Sequence, residues 1–479
     1  MRWLALAEVA AVVSFAALAT LSLVPRGEVL APIDAAALAA GPAEETWNGI
    51  FLADQHIGYA MSREAAAQGG GRLFEQRAAF TIAAMGVSQQ VVTMGTALVD
   101  EAGRLQRFDF LLSSPVLIVG RGEVRPGAVH VELQQDGELQ VIDVPVKEPP
   151  SLSMTATQIV RGKELKPGDR FETPYFDPVT MSQSTMVVTV EAPEILANGE
   201  VAWWLSMDAN GLTSRRLVDP GGGVLREESA MGLRAVRMTQ AEAMAVDGGE
   251  PPDLVALAKV PISGQVPAEA ATLSLVVSGV EASRFASDPP LQAVAENRVS
   301  VSVPPEATWP VLPVTGNGDT EATVTLQATH AEIVERAREV VGDAPDRATA
   351  ARRLHDFVYE HVAKVPTMGV PNGLGVLRSA QGDCNEHTAL YVSLARAAGI
   401  PSRIAAGLVY SQRLDHAFYY HAWPEVRLGP GESWVPIDPT LDQFPADATH
   451  LKIVTGDLDR QLEIMGLIGK VRLAVDPAR

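Results

Sequence analysis

The chemistry open to this chain turns on a single thiol, Cys384, the one cysteine in 479 residues. A cysteine nucleophile needs a stabilised thiolate, an imidazole partner and a group that orients the imidazole. Cys384 follows Asp383, the expected N-cap of a helix that runs to Ala398 and closes at Gly399-Ile400-Pro401. A helix N-terminus favours thiolate through its free N–H groups and its dipole, whereas the Asp383 carboxylate opposes it. A histidine is therefore required, and His421 in the strand-like run FYYHAWPEV is the candidate. Asp438 lies in the next run, WVPIDP, beyond a Gly429-Pro430-Gly431 turn. A hairpin pairing His421 with Asp438 would be centred at about residue 429.5, inside that turn, with Cβ atoms about 5 Å apart. That spacing lets a carboxylate hold an imidazole N–H. How Cys384 reaches them is a tertiary question.

Each residue also has a plainer reading. A lone cysteine is most often a small core residue, a strand histidine is most often satisfied by packing, and Asp438 before Pro439 would simply begin a turn. Cys384, His387, His416 and His421 form a possible zinc set, weakened because His416 and His421 would point to opposite faces of one strand. Glu386 reads as the partner of Asp383 in a capping box. No phosphate loop and no Asp/Asn-rich calcium loop is present, so the expectation is no cofactor.

The blocks GDCNEHTALYVSLARAAGIPSRIAAGLVY, HAWPEV and WVPIDPT, in that order, resemble the catalytic blocks of the transglutaminase-like superfamily, which has a papain-like fold. The resemblance covers roughly residues 325–455. It implies a cysteine-dependent acyl-transfer core with Cys384 as nucleophile, His421 as general acid/base and Asp438 as its orienter. The family's oxyanion helper has no obvious counterpart; Gln381 and the backbone N–H of Cys384 are the candidates. By resemblance the first half-reaction yields a thioester, resolved by water (peptidase or amidase) or by an amine (protein cross-linker). The competing reading is a non-catalytic envelope scaffold or ligand-binding protein that uses its β-rich part.

The elements that must position these residues follow an α+β order. Thr329 to Glu332 fits a capping box opening a helix with Ile333, Val334, Ala337, Val340 and Val341 on one face, and a second helix spans about 346–362. Strands follow at 403–410, 417–428 and 433–438, with LKIVT and VRLAV later. This catalytic domain is expected over 316–479. Ahead of it, a small β linker domain is expected over 251–315, separated by the proline-rich connector around Pro304–Pro313. Residues 47–250 alternate apolar and polar residues between glycine turns such as Gly69–Gly71 and Gly221–Gly223, which points to antiparallel half-barrel or sandwich-like sheets. Residues 26–46, rich in Ala, Pro and acid, read as a tether.

Residues 3–24 are almost continuously apolar. As a helix they would extend about 33 Å, enough to cross a bilayer core of roughly 30 Å. With Arg2 ahead of it, this stretch (1–25) is expected to be a transmembrane anchor or signal, leaving the remainder extracytoplasmic and tethered to the inner membrane. Formal net charge is −20, which repels phosphate backbones and excludes nucleic acid as a partner. A protein or peptide substrate, envelope protein or cell-wall peptide, is the expected partner.

Overall fold

The computed structural model describes residues 30–476, apart from positions 85, 115, 136, 210, 230–231, 268–269 and 368–369. The expected anchor at 1–25 lies outside the described residues. Among the described residues no helix is long and apolar enough to cross a membrane.

Among the described residues, the strands between Glu44 and Met238 form one antiparallel sheet of fourteen. Its first eight strands follow one another across the sheet. The chain then crosses through a 3₁₀ segment, Ser153–Val160, and the remaining six return to pair Arg234–Met238 against Glu44–Leu52. Alternation explains each strand's orientation: in Ser182–Ile195, Met186, Val188 and Val190 are buried on one face. The sheet curls until its far ends approach. Gln183 Nε2 donates to the Pro145 carbonyl at 2.5 Å, and Phe108 meets Phe176 with ring centroids 5.7 Å apart. Leu152, Ala156 and Val160 pack into the cores of the two halves.

A five-stranded sheet follows, built on Thr272–Ser278, where Leu273, Leu275 and Val277 alternate inward. Its strand Arg472–Val475 comes from the C-terminal end of the chain and pairs with Thr272–Ser278. The boundary expected near residue 315 is thus crossed by a returning strand. Sequence alternation identifies VRLAV as a strand but carries no information on which sheet receives it.

In the remaining core the site is framed by α1 (Ala331–Val341), α2 (Arg347–His361), α3 (Gly373–Ser379) and α4 (Cys384–Ala397), with a one-turn helix at Leu458–Gln461 further along. Its sheet has β1 (Ser402–Ser411), β2 (Ala417–Arg427), β3 (Trp434–Pro436) and β4 (His450–Thr455), in the order β3-β2-β1-β4. The N-cap of α1 is His330, whose Nδ1 accepts from the Glu332 N–H, rather than the expected Thr329. Asp383 and Glu386 do form the expected capping box on α4. Helix α3, with Asn372 as its cap, is too short for its period to show in the sequence. Helix α4 is buried along most of its circumference (Ala389, Leu390, Tyr391, Val392, Leu394 and Ala395), as befits the central helix of a core. The helices cover one face of the β1–β4 sheet, through Ile404, Val426 and Val435. The five-stranded sheet covers the other, through Leu408, Phe418 and Leu451.

Candidate active site

Cys384 is the first residue of α4, held there by its cap: Asp383 Oδ1 accepts from the Asn385 N–H at 2.9 Å, and Glu386 Oε2 accepts from the Asp383 N–H at 2.9 Å. Gly382 lets the chain enter this turn, since a Cβ there would lie 2.1 Å from the Glu386 Cβ. Glu386 also accepts from Thr367 Oγ1 at 2.6 Å, tying the preceding loop to the helix. The N-terminus of α4 packs on β2. Thr388 Oγ1 donates to the Ala422 carbonyl at 3.1 Å, and Tyr420 Oη contacts Asn385 Oδ1 at 2.8 Å. The Ala422 N–H acts on the Cys384 sulfur. The thiol is therefore set beside the strand position that follows His421, a contact no sequence pattern supplied.

His421 and Asp438 are directly bonded: Nε2 to Oδ2 is 2.7 Å, and both residues are buried. An ionised carboxylate only accepts, so Nε2 carries the proton and Nδ1 is the nitrogen able to exchange a proton with a thiol. The hairpin register differs from the expected one. Arg427 pairs with Trp434 and Glu425 with Pro436, which moves the centre to about residue 430.5 and would set Asp438 opposite Trp423. The turn is longer than two residues, with a 3₁₀ segment Pro430–Glu432 in which Gly431 takes φ 66°. The ladder ends at Pro436, and Asp438 leaves it to bond reciprocally with the Gln443 backbone at 2.8 and 2.9 Å. That departure swings the carboxylate toward His421.

Asp438 is fully engaged. Oδ1 accepts from the N–H groups of Thr440 (2.8 Å) and Leu441 (3.0 Å), while Oδ2 accepts from His421 and from His450 Nε2 at 3.0 Å. Its carbonyl accepts from His355 Nε2 at 3.3 Å. Burial alone would raise its pKa, but the charges and hydrogen bonds of the two histidines outweigh that and hold it well below the usual carboxylate range. His450 lies outside the three sequence blocks. Its only sequence signal is its position at the start of LKIVT, which says nothing about the partner. Trp423, almost fully buried, covers both rings, with centroids 6.2 Å from His421 and 5.0 Å from His450.

Electrostatically the thiol is opposed. Burial, then the neighbouring Asp383 carboxylate, push Cys384 well above its ordinary range, and the Ala422 N–H pulls the other way. The helix terminus does not by itself give a thiolate. Ionisation requires an imidazolium at His421, that is, proton transfer within the pair. Asp383 is itself shifted upward, by burial and then by the adjacent Glu386 carboxyl.

The other expected residues are dispersed. Gln381 is exposed, in a two-residue parallel pairing with Ala363. His416 is exposed in the turn before β2, with φ 49°, its Nδ1 3.2 Å from Tyr410 Oη. His387 is buried; its Nδ1 donates to the Asp383 carbonyl at 2.7 Å and burial lowers its pKa. The conceivable zinc set is therefore not assembled. The group whose ligand atoms do converge among the described residues is His421, Asp438 and His450. Their contacts of 2.7 and 3.0 Å to one carboxylate oxygen are accounted for as hydrogen bonds.

Residues 334–439 match the family model described as Transglutaminase-like superfamily. No curated protein matches the chain. Among solved structures, the chain is similar to a cysteine-protease candidate from Cytophaga hutchinsonii, with 14% identity, TM-score 0.29, and coverage of 43% of this chain and 84% of that one. It is also similar to a protease candidate from Parabacteroides distasonis (12% identity, TM-score 0.19, 67% and 63% covered). A β-barrel-like DUF1849 protein from Brucella abortus matches at 12% identity and TM-score 0.34, covering 41% of this chain and 96% of that one. At these scores the structural likenesses decide neither fold nor function.

Proposed function

We propose that this chain is a cysteine-dependent acyl-transfer enzyme acting on amide bonds of a protein or peptide substrate through a thioester. The observation that carries the reading is the 2.7 Å His421–Asp438 bond on the strand against which Cys384 is packed. The family match over residues 334–439 supports the same class of chemistry.

In this mechanism His421 Nδ1 takes the thiol proton as Cys384 Sγ attacks the amide carbonyl. The tetrahedral oxyanion is met by the backbone N–H of Cys384, one of the N–H groups a helix start leaves unpaired. Gln381 is a second candidate donor. Collapse breaks the C–N bond, His421 Nδ1–H protonates the departing amine, and a thioester remains. Water then releases the acid, or an amine forms a new amide, with His421 again as the base. Asp438 fixes the ring so that Nδ1 faces the thiol in both steps. Hydrolysis is the favoured outcome, with envelope protein or cell-wall peptide as substrate. The apolar run at residues 3–24 supports an anchored, extracytoplasmic setting.

The test is intact-mass alkylation by limiting iodoacetamide between pH 4 and 9, which reads a single site because there is one cysteine. Labelling well below the free-thiol pKa of about 8.5, lost in His421→Ala and absent in Cys384→Ala, is expected. An ordinary thiol profile unchanged by His421→Ala would remove the enzyme reading.

A further inference from the structure

Beyond the triad, His450 is placed where only a charged ring satisfies its surroundings. Its Nε2 lies 3.0 Å from Asp438 Oδ2. Its Nδ1 lies 3.1 Å from the Asp447 carbonyl and 3.4 Å from Asp447 Oδ1. Both nitrogens thus face acceptors. A neutral imidazole has one N–H and one lone pair, and here the lone pair would point at a carboxylate or a carbonyl oxygen. An imidazolium donates on both sides and leaves no mismatch. Asp447 is itself fixed, accepting from the Thr449 N–H at 2.9 Å and from Thr449 Oγ1 at 2.5 Å.

The groups around His450 are few. From the segment after β3 come Asp438 and Asp447; from β2 come His421, with ring centroids 5.8 Å apart, and the edge-on indole of Trp423. From β1 the register partner is Val409, which is uncharged. The nearest cation of β4, Lys452, is committed to Glu425 and Asp288. From α2, His355 sits on the Asp438 carbonyl, 3.3 Å away, rather than on its carboxylate, and no lysine or arginine among these neighbours competes with the imidazolium. Burial opposes its charge, but the hydrogen bonds to Asp438 and Asp447 outweigh burial and raise it to about 9.

We propose that His450 is a charged positioning residue of this site: as an imidazolium bridging Asp438 and Asp447, it fixes the orienting carboxylate and offsets that carboxylate's charge at the Cys384–His421 pair. This rests on the acyl-transfer reading for its role, though not for its charge. Without the offset, a bare buried carboxylate would repel the thiolate as well as hold the imidazolium, moving both limits of the thiolate–imidazolium window to higher pH. With it, Asp438 orients the ring much as a neutral amide would, as in the Cys-His-Asn arrangement of papain-like proteases.

Two measurements test it. In protein with isotope-labelled histidine rings, the His450 resonance is assigned as the one lost in His450→Gln. A flat chemical shift from pH 5.5 to 7.5 is expected, with Asp447→Asn lowering the midpoint by about one unit. A midpoint near 6.5, the unperturbed value, overturns the proposal. If His450→Gln fails to fold, the resonance whose midpoint moves in Asp447→Asn supplies the assignment. The second measurement is the alkylation profile of Cys384 in His450→Gln. Glutamine can keep a donor on Asp438 but carries no charge, so the thiolate–imidazolium window is expected to move up by about one pH unit. A window left in place means a purely structural histidine and overturns the positioning role. Wild-type labelling like that of a free thiol would sink the acyl-transfer reading instead, and the resonance would still decide the charge of His450.

Discussion

At the residue scale, the site concentrates its electrostatics in one buried carboxylate. Asp438 takes four hydrogen bonds, two from backbone N–H groups and two from histidines, so every lone-pair direction is used. The pH dependence of folding follows. Asp438 has a depressed pKa in the folded state, so its contribution is present above the unfolded value of about 3.9 and is lost as pH falls through the lower folded value. His450 is raised to about 9, so its contribution is complete below about 6.5 and fades as pH rises toward 9. Thermal melts are expected to show Tm declining between pH 6.5 and 9, and the decline should flatten in His450→Gln. A variant that keeps the full wild-type slope would assign the alkaline loss to another group. The residue types and order of Cys384, His421 and Asp438 were legible in the sequence, because the three lie in compact blocks. His450 was not, because a histidine at the edge of a strand carries no mark of what it will face.

At the element scale, the hairpin was readable and its register was not. Two strand-like runs around a Gly-Pro-Gly turn specify antiparallel pairing, but a two-residue slip keeps every side chain on its face, so the apolar pattern cannot exclude it. The turn decided it, through the 3₁₀ segment Pro430–Glu432. Gly407 shows how tightly the sheet is fitted behind the site. It pairs with His421 in β2, and on its other side a Cβ would lie 2.0 Å from the Leu451 carbonyl of β4. A backbone atom cannot move aside as a flexible side chain can. Gly407→Ala is therefore expected to part β1 from β4, displacing both His421 and His450. Roughly 2–4 kcal/mol of stability should be lost, a range typical of overpacked cores with strained backbone. Urea unfolding measures the loss, and alkylation reads the pair; an alanine variant with wild-type midpoint and profile would show that the sheet accommodates the methyl.

Across the whole molecule, polar contacts at particular places tie together the three larger sheets of the described residues, beside the apolar packing between the five-stranded sheet and the β1–β4 sheet. Lys452 of β4 binds Glu425 of β2 at 2.8 and 3.0 Å and reaches Asp288, near the five-stranded sheet, at 2.6 Å. Arg403 completes the cluster at 2.7 Å from Glu425. The large sheet meets the segment between α2 and α3 through Gln89, which donates to the Pro366 carbonyl at 3.0 Å, and meets α3 through Arg378, bound to Glu138 at 3.0 Å and to Glu332 of α1 at 2.5 Å. Glu425 is inaccessible to solvent. Removing its lysine leaves a buried charge with only Arg403 to answer it, a change that in buried ion pairs costs about 3–5 kcal/mol. Lys452→Met is thus expected to lower the unfolding midpoint strongly, and adding Glu425→Gln should recover part of the loss. A methionine variant as stable as the wild type would mean the cluster is held by Arg403 alone.

The sequence by itself determined the local facts: the cap that starts α4 at Cys384, the strands that carry His421 and Asp438, the alternation that makes residues 47–250 β-rich, and the class of chemistry the thiol suits. These depend on neighbours within a few positions, where period, caps and turn residues act directly on backbone geometry. The tertiary structure alone decided what meets across long separations. It set the Cys384 sulfur beside the Ala422 N–H, joined His450 to Asp438, and returned Arg472–Val475 to a sheet begun some 200 residues earlier. Such contacts follow from how whole faces pack, and many residue pairs satisfy the same apolar pattern equally well until the chain is folded.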